Sequence, residues 1–422
     1  MNRLERAALE LTLMIICLTG VHRSGASLML LLVGMTFVGD VAAATTDAFQ
    51  PYVQASIARD SNLFRVSGDA EALNALGTTD KADTIHQLSA GFDSDLSLSR
   101  QRVVLHANVD RFSYEHFSDL DHTGGQGDAV WHWRAGDLWN GDIGYGYSRT
   151  LSSFEQVQSR IKNIRTRQTT QANATFQFHP RWQLTATAGW LDLENSADER
   201  RQNDRRETFG ELEATFVSPA GTRAGLWGRA TDADLPNREV VATSLVDNSY
   251  RETRAGVLGR WPVTGHSELD GRVGYTKREH AQIVERDFDG TTGRLGYKWQ
   301  VTDKTQLDAS WWRDIHAVDD ELASYVLDKG GGVGASWSAT AKLQLRVNIE
   351  RKRFDYAGDP GLVVSSLEPR EDTLKAAGVS LTYTPLHKIQ VVLRFKGTSR
   401  DSNRASAGYR DRYVEAALRV GF

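Results

Sequence analysis

The sequence predicts an all-β fold: a transmembrane, antiparallel, up-and-down β-barrel of about eighteen strands, with sixteen as the alternative count. Three observations lead there. From residue 49 onward, short segments alternate apolar and polar residues with period two. Aromatic or apolar residues recur near the end of every second segment, at Leu98, Trp133, Phe178, Phe216, Trp261, Trp299, Trp337, Tyr383 and Phe422, and from Trp133 the gaps are 45, 38, 45, 38, 38, 46 and 39 residues. Compact and long connections take turns between the segments, as they do in outer-membrane barrels. A soluble sandwich also alternates, but it does not require aromatics at strand ends or so many two-strand units of near-constant length.

Composition sets the bounds. The 422 residues are 25% charged with a formal net charge of −4, so no excess of either sign points to nucleic acid. Mean hydropathy is −0.43, and no stretch after residue 45 reaches the apolar run of about 20 residues that a spanning helix needs. Any crossing is therefore made with strands, half of whose residues face water.

Residues 1–44 read as an export signal. Leu28 to Val38 is an apolar run preceded by Arg23, and Ala42-Ala43-Ala44 supplies a small-residue cleavage site before Thr45. A second apolar patch, Leu13 to Val21, makes the segment long enough to suggest a start upstream of the natural one; a retained anchor is the alternative. Cys17, the single cysteine, lies inside it, and Ile16 stands where a lipoprotein signal needs Gly or Ala. The barrel, residues 45–422, is thus expected without disulfides, thiolate metal sites or a cysteine nucleophile.

Within the barrel the faces follow from alternation. Leu269, Gly271, Val273 and Tyr275 oppose Asp270 and Arg272; Leu295, Tyr297 and Trp299 oppose Arg294, Lys298 and Gln300; Leu343, Leu345, Val347 and Ile349 oppose Gln344, Arg346, Asn348 and Glu350; Ile389, Val391, Leu393 and Phe395 oppose Gln390, Arg394 and Lys396. One face is assigned to lipid and the other to the lumen. Trp261, Trp299, Trp337, Tyr383 and Phe422 then form a periplasmic aromatic girdle, with Tyr147, Trp190, Tyr275 and Phe395 nearer the outer one. The compact turns at 179–182, 218–222, 263–266, 301–305, 338–342 and 384–388 belong on the periplasmic side. The longer charged connections, 60–83, 197–207, 232–249 and 357–371, are expected to face outward. In the last stretch, Tyr413 to Phe422, Val414, Ala416, Leu418, Val420 and Phe422 share the apolar face; Leu418, Val420 and Phe422 also resemble the terminal signal that outer-membrane barrels present to their insertion machinery, a role implied by that resemblance and not by the spacing.

The lumen face is expected to carry Arg223, Arg229, Arg254, Arg260, Arg272, Arg294, Lys298, Arg346, Arg394, Lys396 and Arg419, facing Glu211, Glu213, Asp270, Asp308, Glu350 and Glu415. Opposed charges on neighbouring strands pair across the sheet, and guanidinium forks can track carboxylates on an acidic solute. A mutually paired, solvated wall is the plainer alternative. Inward aromatics such as Trp227, Trp312 and Tyr413 can stack on sugar rings or pack against a loop. Gly330, Gly331, Gly332 and Gly334 lack the lysine of a phosphate loop and lie within a strand, where they relieve crowding.

Three stretches carry a family resemblance: ARDSNLFR, with Asp60, Asn62, Leu63, Phe64 and Arg65; FSDLDHTG from Phe117; and VWHWRAGDLWNGDIGYGYSRTLSSF, ending at Phe154. Together they resemble the EpsL-type outer-membrane proteins, barrel porins encoded with exopolysaccharide and exosortase loci. That resemblance implies a Gram-negative outer-membrane protein of exopolysaccharide biosynthesis or export, offering polymer a polar passage or docking site. The expected partners are outer-membrane lipid, the insertion machinery, and polysaccharide with its export components. A general diffusion porin and a surface-anchoring structural barrel are the alternatives. Asp60 and Asn62 either reach saccharide hydroxyls or shape the turn into the first long loop. No catalytic residue, cofactor or metal comes with the resemblance. With eleven scattered His and neither HExxH nor GxSxG, the chain is not read as an enzyme.

Overall fold

The computed structural model describes residues 48–155, 158–238, 247–317, 325–358 and 368–422. The expected export signal, 1–44, lies outside the described residues, as do parts of the 232–249 and 357–371 connections. Eighteen strands run in chain order: β1 Phe49–Asp60, β2 Asp83–Leu98, β3 Gln101–Tyr114, β4 His122–Ala135, β5 Trp139–Leu151, β6 Ile164–His179, β7 Trp182–Asn195, β8 Arg205–Val217, β9 Arg223–Asp234, β10 Ser249–Thr264, β11 Ser267–His280, β12 Phe288–Thr302, β13 Thr305–Ala317, β14 Tyr325–Thr340, β15 Leu343–Ala357, β16 Glu371–Leu386, β17 Ile389–Ser402 and β18 Tyr409–Gly421. Each pairs antiparallel with the next, and β18 returns to β1, with Tyr52 opposite Gly421 and Asp60 opposite Tyr413. The sheet closes on itself, so no row of backbone groups is left as an edge. The count is eighteen rather than sixteen.

Register fixes the two faces, because a partner directly opposite shares its neighbour's side of the sheet. Leu88, Val109, Leu212, Leu226, Val257, Val333 and Ile349 share one side, and each is more than half exposed. Asp110, Glu252, Arg278, Asp411 and Glu415 share the other and are buried. A soluble fold does the reverse. Apolar residues outside and charges inside are the arrangement of a wall between lipid and water.

The aromatic markers mark one rim. Trp261, Trp337 and Phe422 are 52%, 50% and 65% exposed on the outer face, beside the short-turn ends of β10, β14 and β18. Trp299 and Tyr383 complete the row on β12 and β16. Tyr275 and Phe395 lie exposed higher on the outer wall, while Tyr147 and Trp190 are half-buried there. The short turns tighten through local bonds: in 218–222, the Gly221 N–H donates to Ser218 O at 3.0 Å and Gly221 takes φ 83°.

One expected loop is different. Residues 60–83 do not project outward as a polar connection; they fold back against the inner wall. Within them a helix, α1 Asp69–Leu76, has Asp69 and Glu71 in its first turn and ends where Gly77, at φ 73°, donates to Leu73 O. Ala72 and Leu76, one turn apart, face the same way and are buried. Leu63, Phe64 and Val66 join them in an apolar core with Tyr114, Phe117, Leu120 and Phe154, packed against inward-facing Ile85 and Phe112. Burying that much apolar side chain outweighs the pull of the flanking charges toward solvent.

Candidate functional site: the lumen wall and its loop cap

All eleven cations expected on the lumen face share the inner face by register. Arg223 stands opposite Arg260 across β9 and β10, and Arg229 opposite Arg254. Arg272 stands opposite Arg294 across β11 and β12, and Lys298 opposite Asp308 across β12 and β13. Arg394 faces Glu415 across β17 and β18. Arg419 sits opposite Gln54 of β1. The inward glutamates and aspartates named from sequence occupy the same rows.

Most of these cations are answered by carboxylates. Arg254 donates to Glu252 at 2.6 Å and to Asp314, three strands away, at 2.8 Å. Arg260 pairs with Glu268 at 2.6 Å, Arg346 with Asp308 at 3.1 Å, and Arg394 with Glu415 at 2.9 Å. Arg419 pairs with Asp93 and lies 3.6 Å from the Tyr52 ring centroid. Arg229 stacks on Phe209 at 3.7 Å and stands 3.8 Å from Glu211. Among the described residues, Arg223, Arg294, Lys298 and Lys396 make no ion pair or side-chain hydrogen bond. Those four are the free positive charge among the eleven.

Of the inward aromatics, Trp227 is buried beneath the Arg272 guanidinium, 4.3 Å from its ring centroid, and its indole N–H donates to Val257 O at 3.2 Å. The Tyr413 hydroxyl donates to Glu415 at 3.2 Å. Trp312 reaches sideways over Gly330, and it lines a recess of about 400 Å³ with Arg294, Asp314, Asp328 and Glu350. Gly330 and Gly334 thus make room for the side chains of Trp312 and Asp308 on the neighbouring strand.

The cap over the mouth is tied to the wall by the resemblance residues themselves. Both oxygens of Asp60 accept from the Arg65 guanidinium, at 2.9 and 3.0 Å, and Arg65 also lies 3.3 Å from Asp411. Asn62 accepts from Val66 N at 3.0 Å, and its amide donates to Val66 O and Arg410 O. With both side chains almost fully buried, Asp60 and Asn62 shape the turn. Phe64 is fully buried, with Phe117 and Phe154 ring centroids at 4.8 and 4.7 Å. The three stretches that carry the resemblance therefore meet in one core, which alternation could not reveal because none of these contacts lies within a strand pair.

The connection between β5 and β6 completes the cap. Arg160 grips Asp119 with two donors, at 3.0 and 2.6 Å, and Gln158 donates to Arg65 O. Arg400, on the inner face of β17, donates to Glu155 O. The hydrogen bonds from Arg160 hold the Asp119 carboxyl below its ordinary range.

No family model matches the chain, and no curated protein matches it. Solved structures do. The outer membrane protein OpdK from Pseudomonas aeruginosa is 12% identical, with a TM-score of 0.48, over 89% of this chain and 99% of that one. OccK2 (OpdF) from the same organism, solved in complex with glucuronate, is 11% identical at a TM-score of 0.48, over 89% and 98%. OccAB3 from Acinetobacter baumannii is 11% identical at 0.44, over 89% and 99%. The fold stands on its own strand pairing: a closed eighteen-stranded barrel of the outer-membrane type.

Proposed function

We propose that the chain is a passive porin of the Gram-negative outer membrane, carrying small hydrophilic solutes along a charged wall narrowed at one mouth by its own loops. The observation that carries this reading is the inner face itself. At eighteen strands a barrel is wide enough to leave an aqueous channel, and here Arg294, Lys298 and Lys396 remain free to meet solutes. The paired charges hydrate the wall without binding anything tightly. The short turns are placed in the periplasm and the cap at the outer face. Residues 1–44 serve as the export signal, lipid covers the girdle, and Leu418, Val420 and Phe422 address the insertion machinery.

Single-channel recording in planar bilayers tests this reading. Stepwise conductance of constant size is the expected result. Silence from both the intact barrel and a variant lacking residues 61–82 overturns it.

A second reading, passage or docking of exopolysaccharide with its export components, is favoured by one observation: the stretches resembling EpsL-type proteins build the cap rather than scattering over the wall. A strain lacking the gene should then lose surface polymer, and unchanged polymer removes that reading.

A further inference from the structure

The recess between β10 and β15 holds a buried carboxylate oxygen without a hydrogen-bond partner. Trp312 is seated over Gly330, so closely that a Cβ there would lie 2.5 Å from its Cζ2; the half-buried ring lines the recess, with the Lys352 ammonium 5.6 Å from its centroid. Arg294, directly opposite Trp312, has no partner among the described residues. Asp328, 8% exposed, has a buried Oδ1 with no hydrogen-bond partner. The volume, about 400 Å³, falls within the roughly 300–1,000 Å³ of small-ligand sites.

We propose that this recess is a binding subsite for a neutral pyranose saccharide. The proposal deepens the porin reading by naming a solute class, and it rests on that reading for access to the lumen. A pyranose presents an apolar C–H face, which covers an indole as other flat apolar surfaces do. Its rim hydroxyls both accept and donate, so one ring can accept from the exposed Arg294 and donate to the buried Asp328 Oδ1, whose unmet hydrogen bond is costly.

Charge argues against an acidic ligand. Arg254 is already answered by Glu252 and Asp314, and Arg272 by Glu211 and Glu213, two carboxylates to each guanidinium. Arg294 is the one cation of the recess left over, and it stands near Asp328, whose Oδ2 lies 3.8 Å from His316 while its Oδ1 has no hydrogen-bond partner, and near Glu350, itself 3.0 Å from Lys352. A cationic ligand would meet Arg294 itself.

Isothermal titration of the purified full barrel in detergent with maltose, and separately with glucuronate, tests this. The wild type should bind maltose, W312A and R294Q should each bind about tenfold more weakly, and W312F should keep most of the affinity. Should W312A fail to fold, R294Q carries the comparison. No maltose binding by the wild type, equal maltose binding by wild type, W312A and R294Q, or tighter binding of glucuronate than maltose overturns the proposal. Maltose binding in detergent, with no current from either the intact barrel or the variant lacking residues 61–82, overturns the porin reading and leaves the subsite standing; current without maltose binding does the opposite.

Discussion

Arg272 on β11 donates to both oxygens of Glu211 on β8, at 3.1 and 3.0 Å, and also to Glu213. Strands lie about 4.8 Å apart, so the two elements are separated by roughly 14 Å of wall. Two long side chains close that distance only where the sheet curves toward them. The contact is a chord across the concave face, and it fixes which side of each strand is the lumen. Arg254 and Asp314 form a second such chord from β10 to β13.

Removing the carboxylate end of the first chord should change selectivity. In an E211Q/E213Q variant Arg272 keeps its place on Trp227 but loses its countercharges. Chloride should then be favoured over potassium by about fivefold relative to the native barrel, on the order of 1 kcal/mol for a unit charge at about 4 Å in water. Reversal potentials under a potassium chloride gradient measure this, and an unchanged ratio would mean the chord lies off the ion path.

The cap should fail separately from the barrel. Phe64→Ala empties the centre of the apolar core where Phe117 and Phe154 meet, at a cost of about 3–5 kcal/mol. That cost falls on the loops, because the ladder closing β1 to β18 does not pass through them. Faster proteolysis within 61–82 and noisier, larger conductance steps are expected, with the temperature of barrel unfolding unchanged. A parallel drop in barrel stability would show that the cap and wall fold as one unit.

Acid should release one side of the cap. Hydrogen bonds from Arg160 lower the Asp119 pKa in the folded loops. A depressed folded value gives a contribution present above the unfolded carboxylate pKa of about 3.9 and lost as pH falls through the lower folded value. The clamp should therefore hold at neutral pH and open only in acid below the ordinary carboxylate range. Asp119→Asn should mimic the acid state at pH 7, read as protease access to residues 158–163. Both side chains are substantially exposed, so screening keeps the effect small and confined to that loop.

The wall was legible in the sequence because alternation has period two and the girdle repeats about every forty residues, signals that local residue order carries in full. Trp261, Trp299 and Trp337 locate strand ends without any knowledge of partners. The cap was not legible. Leu63, Phe64, Val66, Ala72 and Leu76 are apolar enough to mark a buried segment, and Gly77 is a helix stop, but their company of charges made the segment look like an exposed loop. Its core needs Phe117 and Phe154, whose approach depends on closure of the barrel. The same limit hid Trp312: alternation placed it inward, but only the β13–β14 register, which sets Gly330 opposite it, gives the ring its seat.

That seat yields the sharpest test of the inner wall. In Gly330→Val the new Cβ would stand 2.5 Å from Trp312 Cζ2 and 2.8 Å from Cε2, closer than van der Waals contact allows, so the indole must leave the wall. The same Cβ would stand 3.0 Å from the Arg351 carbonyl oxygen, so β15 must yield by a few tenths of an ångström, while the extended strand itself suits a β-branched residue. The displacement should cost about 1–3 kcal/mol and turn the ring into the lumen. Tryptophan emission should shift to the red as the indole is hydrated, and conductance should fall as the ring narrows the passage. Gly397→Val supplies the control: it lies on the outer face with nothing within 4 Å of the added Cβ, and neither signal should move. Equal behaviour of the two variants would mean that Trp312 does not rest on Gly330.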